Sequence, residues 1–192
     1  TPPPPTPPPP PGAKDGLAIF IDDMRPELGA YGCSHMRTPH MDALAADPHA
    51  TLYSRAFCQI SHCSPSRNSF LSGRRPDATR MWDFAGDFRK AGPDWVTLPG
   101  YFKRHGYYTT SIGKVFHPNA PPDFDYPASW SDAPSMQSKP DCSPTPGDGA
   151  MGCELEANAT DADEATADAA LARLRVRPRN HPFFVAVGFQ GP

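Results

Sequence analysis

The apolar residues of this chain form three short runs that alternate with segments of helical spacing. The runs are Leu17 to Ile21, Tyr107 to Ile112 and Phe183 to Val187. The first and third are continuously apolar, as expected of parallel strands covered on both faces, and the second is aromatic and β-branched. Because helical segments separate the runs, the pattern predicts an α/β fold with a mainly parallel sheet flanked by helices.

Four segments have the spacing or the end signals of helices. They begin at Thr38 with Pro39 in the first turn, at Pro65, at Leu98 and at Thr160. The second is expected to run to Leu71 and to end at Gly73, which would leave Cys63 just before its amino terminus. The fourth is expected to end at Arg177 with four apolar residues on one face, namely Ala167, Ala170, Leu171 and Leu174.

Two segments lack any period. Residues 1–11 are almost pure proline, which favours an extended polyproline II spacer. We therefore divide the chain into a linker or stalk at residues 1–16 and a folded domain at residues 17–192. The stretch from Pro118 to Gly152 is rich in Pro, Asp, Ser and Gly, and it is predicted to be a long surface excursion.

Composition excludes several classes of function. The chain has 192 residues, a formal net charge of -3 and 38% hydrophobic residues, which is typical of globular domains once the 27 prolines are treated as a local bias. It has no long basic run, so nucleic-acid binding is not expected. The apolar runs are far shorter than the roughly 20 residues of a membrane-spanning helix.

Five cysteines are an odd number, so at least one is unpaired if disulfides form within the chain. Cys142 and Cys153 bracket a loop in which a disulfide would restrict the unfolded chain, whereas the pairing of Cys33 and Cys58 stays open. The triplet at residues 158–160 matches the N-glycosylation pattern. Together these features favour a secreted or lysosome-like location.

Three short motifs contain candidate chemistry. Asp22-Asp23 follows the first strand and offers hard oxygen ligands for Ca²⁺ or Mg²⁺, although such a pair is more often a solvated strand end. Lys114 and His117 follow the second strand, where a surface lysine and a partly buried histidine are the commoner case. Cys63 opens the run Cys63-Ser64-Pro65-Ser66-Arg67 and, taken alone, is either a reactive thiolate at a helix terminus or a structural cysteine.

The run from Cys63 to Arg67, followed by Leu71 and Gly73, resembles the signature of the sulfatase family. The stretches IDDMRPELGAYG and GRRPDATRMWDF are similar to the iduronate-2-sulfatase subgroup. The resemblance implies an alkaline-phosphatase/sulfatase-like fold that is incomplete in this chain. We therefore expect the 192 residues alone to be inactive and poorly stable.

The resemblance also implies a role for each candidate residue. In the family the cysteine of the signature is oxidised to formylglycine by a formylglycine-generating enzyme, and its hydrate is the nucleophile. Fixed charges and hydrogen bonds then stabilise the sulfate group, and a calcium ion polarises it. The implied catalytic residues are Cys63, Arg67, Lys114 and His117, and the implied calcium ligands are Asp22, Asp23 and Cys63.

The function implied is removal of sulfate from a sulfated saccharide or another sulfate ester. Two alternatives stay open. A phosphate or phosphonate ester hydrolase of the same superfamily would use a similar site, because both substrates carry a tetrahedral anion. A non-catalytic extracellular protein with a proline-rich stalk would keep Cys63 as an ordinary thiol.

Overall fold

A computed structural model describes residues 7–137 and 161–191, and its centre is a sheet of three parallel strands. These are β1 (Gly16–Ile21), β2 (Tyr108–Gly113) and β3 (Phe183–Phe189). The strand order is β1-β3-β2, so the last strand in sequence lies in the middle. All three carboxyl ends therefore meet at one edge, and the predicted parallel α/β class is confirmed.

Helices occur at all four predicted places, and the structure adds one short helix that the sequence pattern did not predict. They are α1 (Pro39–Ala45), α2 (Cys63–Ser72), α3 (Pro76–Thr79), α4 (Leu98–Arg104) and α5 (Ala162–Val176), with single 3-10 turns at Gly29–Tyr31, Phe88–Lys90 and Pro122–Asp125. Helix α2 begins earlier than expected, since the Ser66 amide donates to the His62 carbonyl oxygen at 3.0 Å. Cys63 is thus the first helical residue, not the residue before the helix.

The helices cover the two faces of the sheet unequally. One face carries the larger core, which includes Phe116, Trp130 and Phe184, and the other face packs β2 and β3 against α5. The prediction that the first strand is covered on both faces is wrong, because Leu17 and Ile19 are 53% and 56% exposed. The cause is that α5 packs on β2 and β3 rather than on β1.

The buried face of α5 also differs from the prediction. Ala162, Thr166 and Ala170 are buried at intervals of four residues, and Leu174 packs against the same cluster. Leu171 is 50% exposed, so its assignment to the buried face is wrong. The residues at intervals of four form a stripe along the helix, and Leu171 is rotated away from that stripe.

The first part of the predicted surface excursion is packed instead, so the interpretation is wrong for residues 118–137. Trp130 is fully buried, and its indole nitrogen donates to the Phe124 carbonyl oxygen at 2.8 Å. The segment runs along the outer edge of β2, where the Ser131 amide donates to the Thr109 carbonyl oxygen at 2.8 Å. It therefore satisfies backbone groups that an open edge strand would leave unpaired.

Replacing the buried indole tests this packing. We expect Trp130→Phe to lower the free energy of unfolding by about 2 kcal/mol, because it leaves a cavity and an unpaired, half-buried carbonyl at Phe124. Chemical denaturation monitored by circular dichroism measures the change. Trp82→Phe is the matched control, since Trp82 is 53% exposed and should change stability by less than about 0.5 kcal/mol. Equal effects of both substitutions would contradict the packing.

The proline segment lies against the domain where it is described. A Cβ atom at Gly106, whose φ is +82°, would lie 2.6 Å from the Pro7 carbonyl oxygen, so only glycine permits this approach. Asp15 accepts a hydrogen bond from the Phe183 amide at 3.0 Å. The division of the chain at residue 16 stays a prediction.

Two sequence features lie outside the described residues, namely the Cys142 and Cys153 pair and the glycosylation pattern at residues 158–160. Within the described ranges Cys33, Cys58 and Cys63 are free thiols. Among the helices of those ranges, none has the length and apolar character needed to cross a bilayer.

Candidate functional site

Two aspartates extend from the carboxyl end of β1. The Asp22 amide donates to the Phe189 carbonyl oxygen at 3.3 Å, which continues the ladder by one residue and directs the Asp22 side chain inward, where the residue is 5% exposed. Asp23 has a φ of 50° and is exposed. The left-handed backbone turns the second carboxylate back over the strand end, so both acids face one site.

Two glycines bring the end of β2 next to β3. Gly113 has a φ of +72°, and a Cβ atom there would collide with the Gly188 carbonyl oxygen. A Cβ atom at Gly188 would in turn collide with the Lys114 carbonyl. Because both side chains are absent, the Lys114 amide donates to the Gly188 carbonyl oxygen at 2.7 Å, and the lysine side chain reaches the site.

Arg67 joins the three elements of the site. From the second turn of α2 it donates to Asp22 Oδ1 at 2.7 Å, with both side chains about 95% buried. Its other terminal nitrogen donates to the Val115 carbonyl oxygen at 2.9 Å and to that of Lys114. The guanidinium group therefore fixes α2 against the ends of both β1 and β2.

Cys63 lies at the centre of this arrangement. Its sulfur is 3.7 Å from Asp22 Oδ2, 3.8 Å from Asp23 Oδ1 and 3.8 Å from Lys114 Nζ. Lys114 also donates to Asp22 Oδ2 in an ion pair. Asp22, Asp23, Cys63, Arg67 and Lys114, five of the six predicted site residues, thus contact one another at the carboxyl edge of the sheet.

The charges set the ionisation of the two central groups. Burial by itself would raise the pKa of Asp22, but hydrogen bonds and charges from Lys114 and Arg67 together hold it below its ordinary value. Burial raises the pKa of the Cys63 thiol, and the Asp22 carboxylate raises it further against the opposing charge of Lys114. Without a metal ion these surroundings favour the neutral thiol of the unmodified cysteine over the thiolate.

His117, the sixth predicted residue, lies to one side. Its Nδ1 is 3.0 Å from the Pro118 carbonyl oxygen, and its ring packs on that of Phe84 with centroids 4.6 Å apart. Burial lowers the pKa of His117, and the charges of Lys114 and Arg67 add to this against the Pro118 hydrogen bond. With Nδ1 as the donor to Pro118, the neutral ring leaves Nε2 as an acceptor.

The donor set fits a hard divalent cation. Among the described residues, one ligand atom each from Asp22, Asp23 and Cys63 lie within 4.8 Å of one another. Two carboxylates suit calcium, whereas a thiol does not. Replacement of the sulfur by the oxygen of an aldehyde hydrate would make all three ligand atoms oxygen. The geometry thus fits calcium best when Cys63 is modified.

Sequence reasoning missed Asn68, which connects the site to the His117 segment. The buried Asn68 amide donates to the Ser64 carbonyl oxygen at 2.8 Å and to that of Ala120 at 3.1 Å. The Ala120 amide in turn donates to the His117 carbonyl oxygen at 3.1 Å. The available signal was the interval of four between Ser64, Asn68 and Ser72, which places three polar residues on one buried face of α2.

Comparison with known proteins agrees with this geometry. A family model described as Sulfatase matches residues 14–192. The chain belongs to the sulfatase family. It is 39% identical over 191 residues to the iduronate 2-sulfatases of Mus musculus and Homo sapiens, an alignment that covers 92% of this chain and 34% of each relative. The chain therefore spans about a third of the length of these sulfatases.

Solved structures show the same fold. A protein whose structure was solved in complex with its substrate D-glucosamine-2-N,6-O-disulfate has a TM-score of 0.68 at 22% identity, covering 93% of this chain and 34% of that one. A phosphonate monoester hydrolase of Agrobacterium radiobacter has a TM-score of 0.66 at 19% identity, covering 93% and 41%. The expected alkaline-phosphatase/sulfatase-like fold class is thus confirmed for this member of the sulfatase family.

Proposed function

We propose that the protein is a sulfuric ester hydrolase that uses formylglycine at position 63 together with a calcium ion. The observation that carries the proposal is the convergence of two carboxylates, two cations and Cys63 at the carboxyl edge of the sheet, where ligands bind in open α/β folds. The similarity to iduronate 2-sulfatases supports it.

The chemistry requires more than a thiol. An aldehyde hydrate has two hydroxyls on one carbon, so one can attack sulfur and displace the alcohol, and the other, on losing its proton, can expel sulfate as the aldehyde re-forms. The high pKa of the Cys63 thiol is consistent with this, since the unmodified side chain is a poor nucleophile. Maturation by a formylglycine-generating enzyme is part of the proposal.

The other site residues place positive charge near position 63 and fix the positions of the groups around it. Lys114 lies 3.8 Å from the sulfur and presents a fixed positive charge to an incoming sulfate. Arg67 already bonds Asp22 and two carbonyl groups. Its main action is therefore to hold the first turn of α2, which begins at Cys63, and the Asp22 carboxylate in place. Calcium held by Asp22, Asp23 and the modified residue 63 would polarise the sulfate oxygens.

The substrate we propose is a sulfated saccharide such as an iduronate 2-sulfate, and the location a secretory or lysosome-like compartment. The basis is the 39% identity to iduronate 2-sulfatases. Substrate choice depends on loops around the anion site, so this part of the proposal rests on similarity alone.

A paired experiment tests the reaction class. The full-length protein, produced together with a formylglycine-generating enzyme, is analysed by peptide mass measurement across residue 63 and assayed on an aryl sulfate and the matching aryl phosphate. We expect an aldehyde at residue 63 and turnover of the sulfate ester in preference to the phosphate. Preference for the phosphate would point to the phosphohydrolase alternative, and an intact thiol in the natively produced protein to the non-catalytic one.

The protonation of His117 gives a pH-dependent prediction. Because neutral His117 offers only an acceptor at Nε2, sulfate binding favours the protonated ring and raises its pKa. We expect affinity for inorganic sulfate to rise as the pH falls towards the lowered pKa of His117, by at most about 10-fold per pH unit, and then to level off. The inhibition constant of sulfate, measured against pH, provides the test.

Two histidine variants separate this effect from other titrations. His117→Gln should flatten the dependence, because glutamine does not titrate. His181→Gln is the matched control, since His181 Nδ1 is 3.1 Å from the Gly106 carbonyl oxygen at the opposite end of the sheet. A slope that survives in His117→Gln would contradict the assignment.

A further inference from the structure

One exposed aromatic ring lies between two imidazoles beside the site. The centroid of Phe84 is 4.2 Å from that of His62 in an edge-to-face contact and 4.6 Å from that of His117. His62 directly precedes Cys63 and is the N-cap residue of α2. We name His62, Phe84 and His117 the aromatic wall, because the three rings connect the start of α2 with the segment after β2.

The backbone turn that carries Phe84 is anchored on both sides. The Ala85 amide donates to Asp83 Oδ1 at 2.8 Å, which closes a local turn around the ring. Gly86 has a φ of +119°, and a Cβ atom there would lie 3.2 Å from the sulfur of Met81, which is 1% exposed. The turn therefore packs against the buried Met81 side chain, and these contacts fix the backbone position of Phe84.

One member of the wall, His62, borders the reacting centre, and the wall has ring surface and polar atoms that no other described residue engages. His62 lines a cavity of about 500 Å³ together with Asp22, Asp23 and Cys63. Phe84 remains 48% exposed although it contacts two rings. Within the described residues no hydrogen bond engages the imidazole nitrogens of His62. An apolar ring surface and free polar atoms thus lie next to a site whose other groups, apart from the Cys63 thiol, are charged.

We propose that the aromatic wall is the subsite for the sugar ring that carries the sulfate ester. The inference rests on the proposed function and names the group that would select a saccharide. The charged side chains of the site can recognise only the sulfate group of a substrate. A pyranose also has an apolar C–H face, and burial of that face against a phenyl ring is favourable. A nitrogen of His62 is placed to bond a hydroxyl or carboxylate of the same ring.

The first test separates binding of the sugar from binding of the anion. Full-length protein that carries formylglycine is assayed on a disaccharide bearing a 2-O-sulfated uronate, and inorganic sulfate is used as the inhibitor that lacks a ring. We expect Phe84→Leu to raise KM for the disaccharide about 10-fold with kcat changed less than about 3-fold. The inhibition constant of sulfate should stay within about 2-fold of wild type.

Two further variants provide the controls. Tyr101→Leu removes another exposed ring that packs on an imidazole, that of His105, with centroids 4.1 Å apart on α4 and away from the cavity. It should leave both constants unchanged. His62→Phe keeps a ring against Phe84 but removes the nitrogens, and it should raise KM for the disaccharide about 5-fold.

Each other outcome contradicts the proposal in a recognisable way. A rise in the sulfate inhibition constant parallel to KM would mean that Phe84 only positions His117. An unchanged KM in Phe84→Leu would mean that the wall does not contact the sugar. If the wild-type protein turns over an aryl sulfate but no saccharide, the subsite is wrong while the sulfatase proposal stands. Failure to hydrolyse any sulfate ester would overturn the proposed function itself, and the subsite with it.

Discussion

Cys63→Ala should reduce kcat for a sulfate ester by at least about 10³-fold, because it removes the side chain that we propose is converted to the aldehyde nucleophile. The cations around position 63 would remain, and they would still attract the anion without providing a group that attacks sulfur. Binding of inorganic sulfate should therefore persist. Steady-state turnover and the sulfate dissociation constant, measured on full-length protein produced with the maturation enzyme, provide the comparison.

A second cysteine of the same cavity is the matched control. Cys58 is an exposed free thiol that lines the cavity with Cys63 but lies outside the sulfatase signature. Cys58→Ala should retain wild-type turnover and the aldehyde at residue 63. If Cys63→Ala kept a tenth or more of the activity, the nucleophile would have to be another group. If Cys58→Ala were equally inactive, the loss would reflect disruption of the cavity.

Much of the site could be predicted because its residues follow local patterns. Asp22 comes directly after an apolar run and Lys114 directly after a β-branched one, so a parallel sheet places both at its carboxyl edge. The signature around Cys63 includes its own helix start and ends at Gly73. These parts depend on sequence neighbours, and they appear in the structure within one or two residues.

Other parts depend on contacts between distant segments. The order β1-β3-β2 places the last strand in the centre of the sheet. The hydrophobic pattern of Phe183 to Phe189 does not indicate which strands pair with it. The partners of Arg67 include two carbonyls that come within reach only because Gly113 and Gly188 pack without side chains. Trp130 lies in a Pro- and Ser-rich stretch without a period, so its burial along β2 could not be read from local spacing.

The role of Asp22 is the clearest example of what tertiary contacts add. The sequence indicates a calcium ligand, and the structure adds a buried ion pair with Arg67 and a second pair with Lys114. One carboxylate therefore balances two cations in addition to facing the metal position. Asp22 is thus both an ion-pair partner and a candidate metal ligand, whereas Asp23 is only a candidate metal ligand. We therefore predict that substitutions of the two acids affect stability differently.

Asp22→Asn should lower the free energy of unfolding by about 3–5 kcal/mol without calcium, because it leaves the buried guanidinium of Arg67 without its counter-charge. The same substitution removes the charge of a proposed metal ligand, so it should also weaken calcium binding by at least about 10-fold and reduce turnover of a sulfate ester. Chemical denaturation in the presence of a chelator measures the first effect. The rise in melting temperature on calcium addition measures the second.

Asp23→Asn separates the two roles, because Asp23 is exposed and has no ion pair with another described residue. It should lose the stabilisation by calcium while its calcium-free stability changes by less than about 0.5 kcal/mol. An Asp22→Asn protein as stable as wild type would show that Arg67 does not depend on this carboxylate. Equal stabilisation of all three proteins by calcium would place the metal elsewhere, because each variant lacks one of the negative charges that the proposed site provides for the cation.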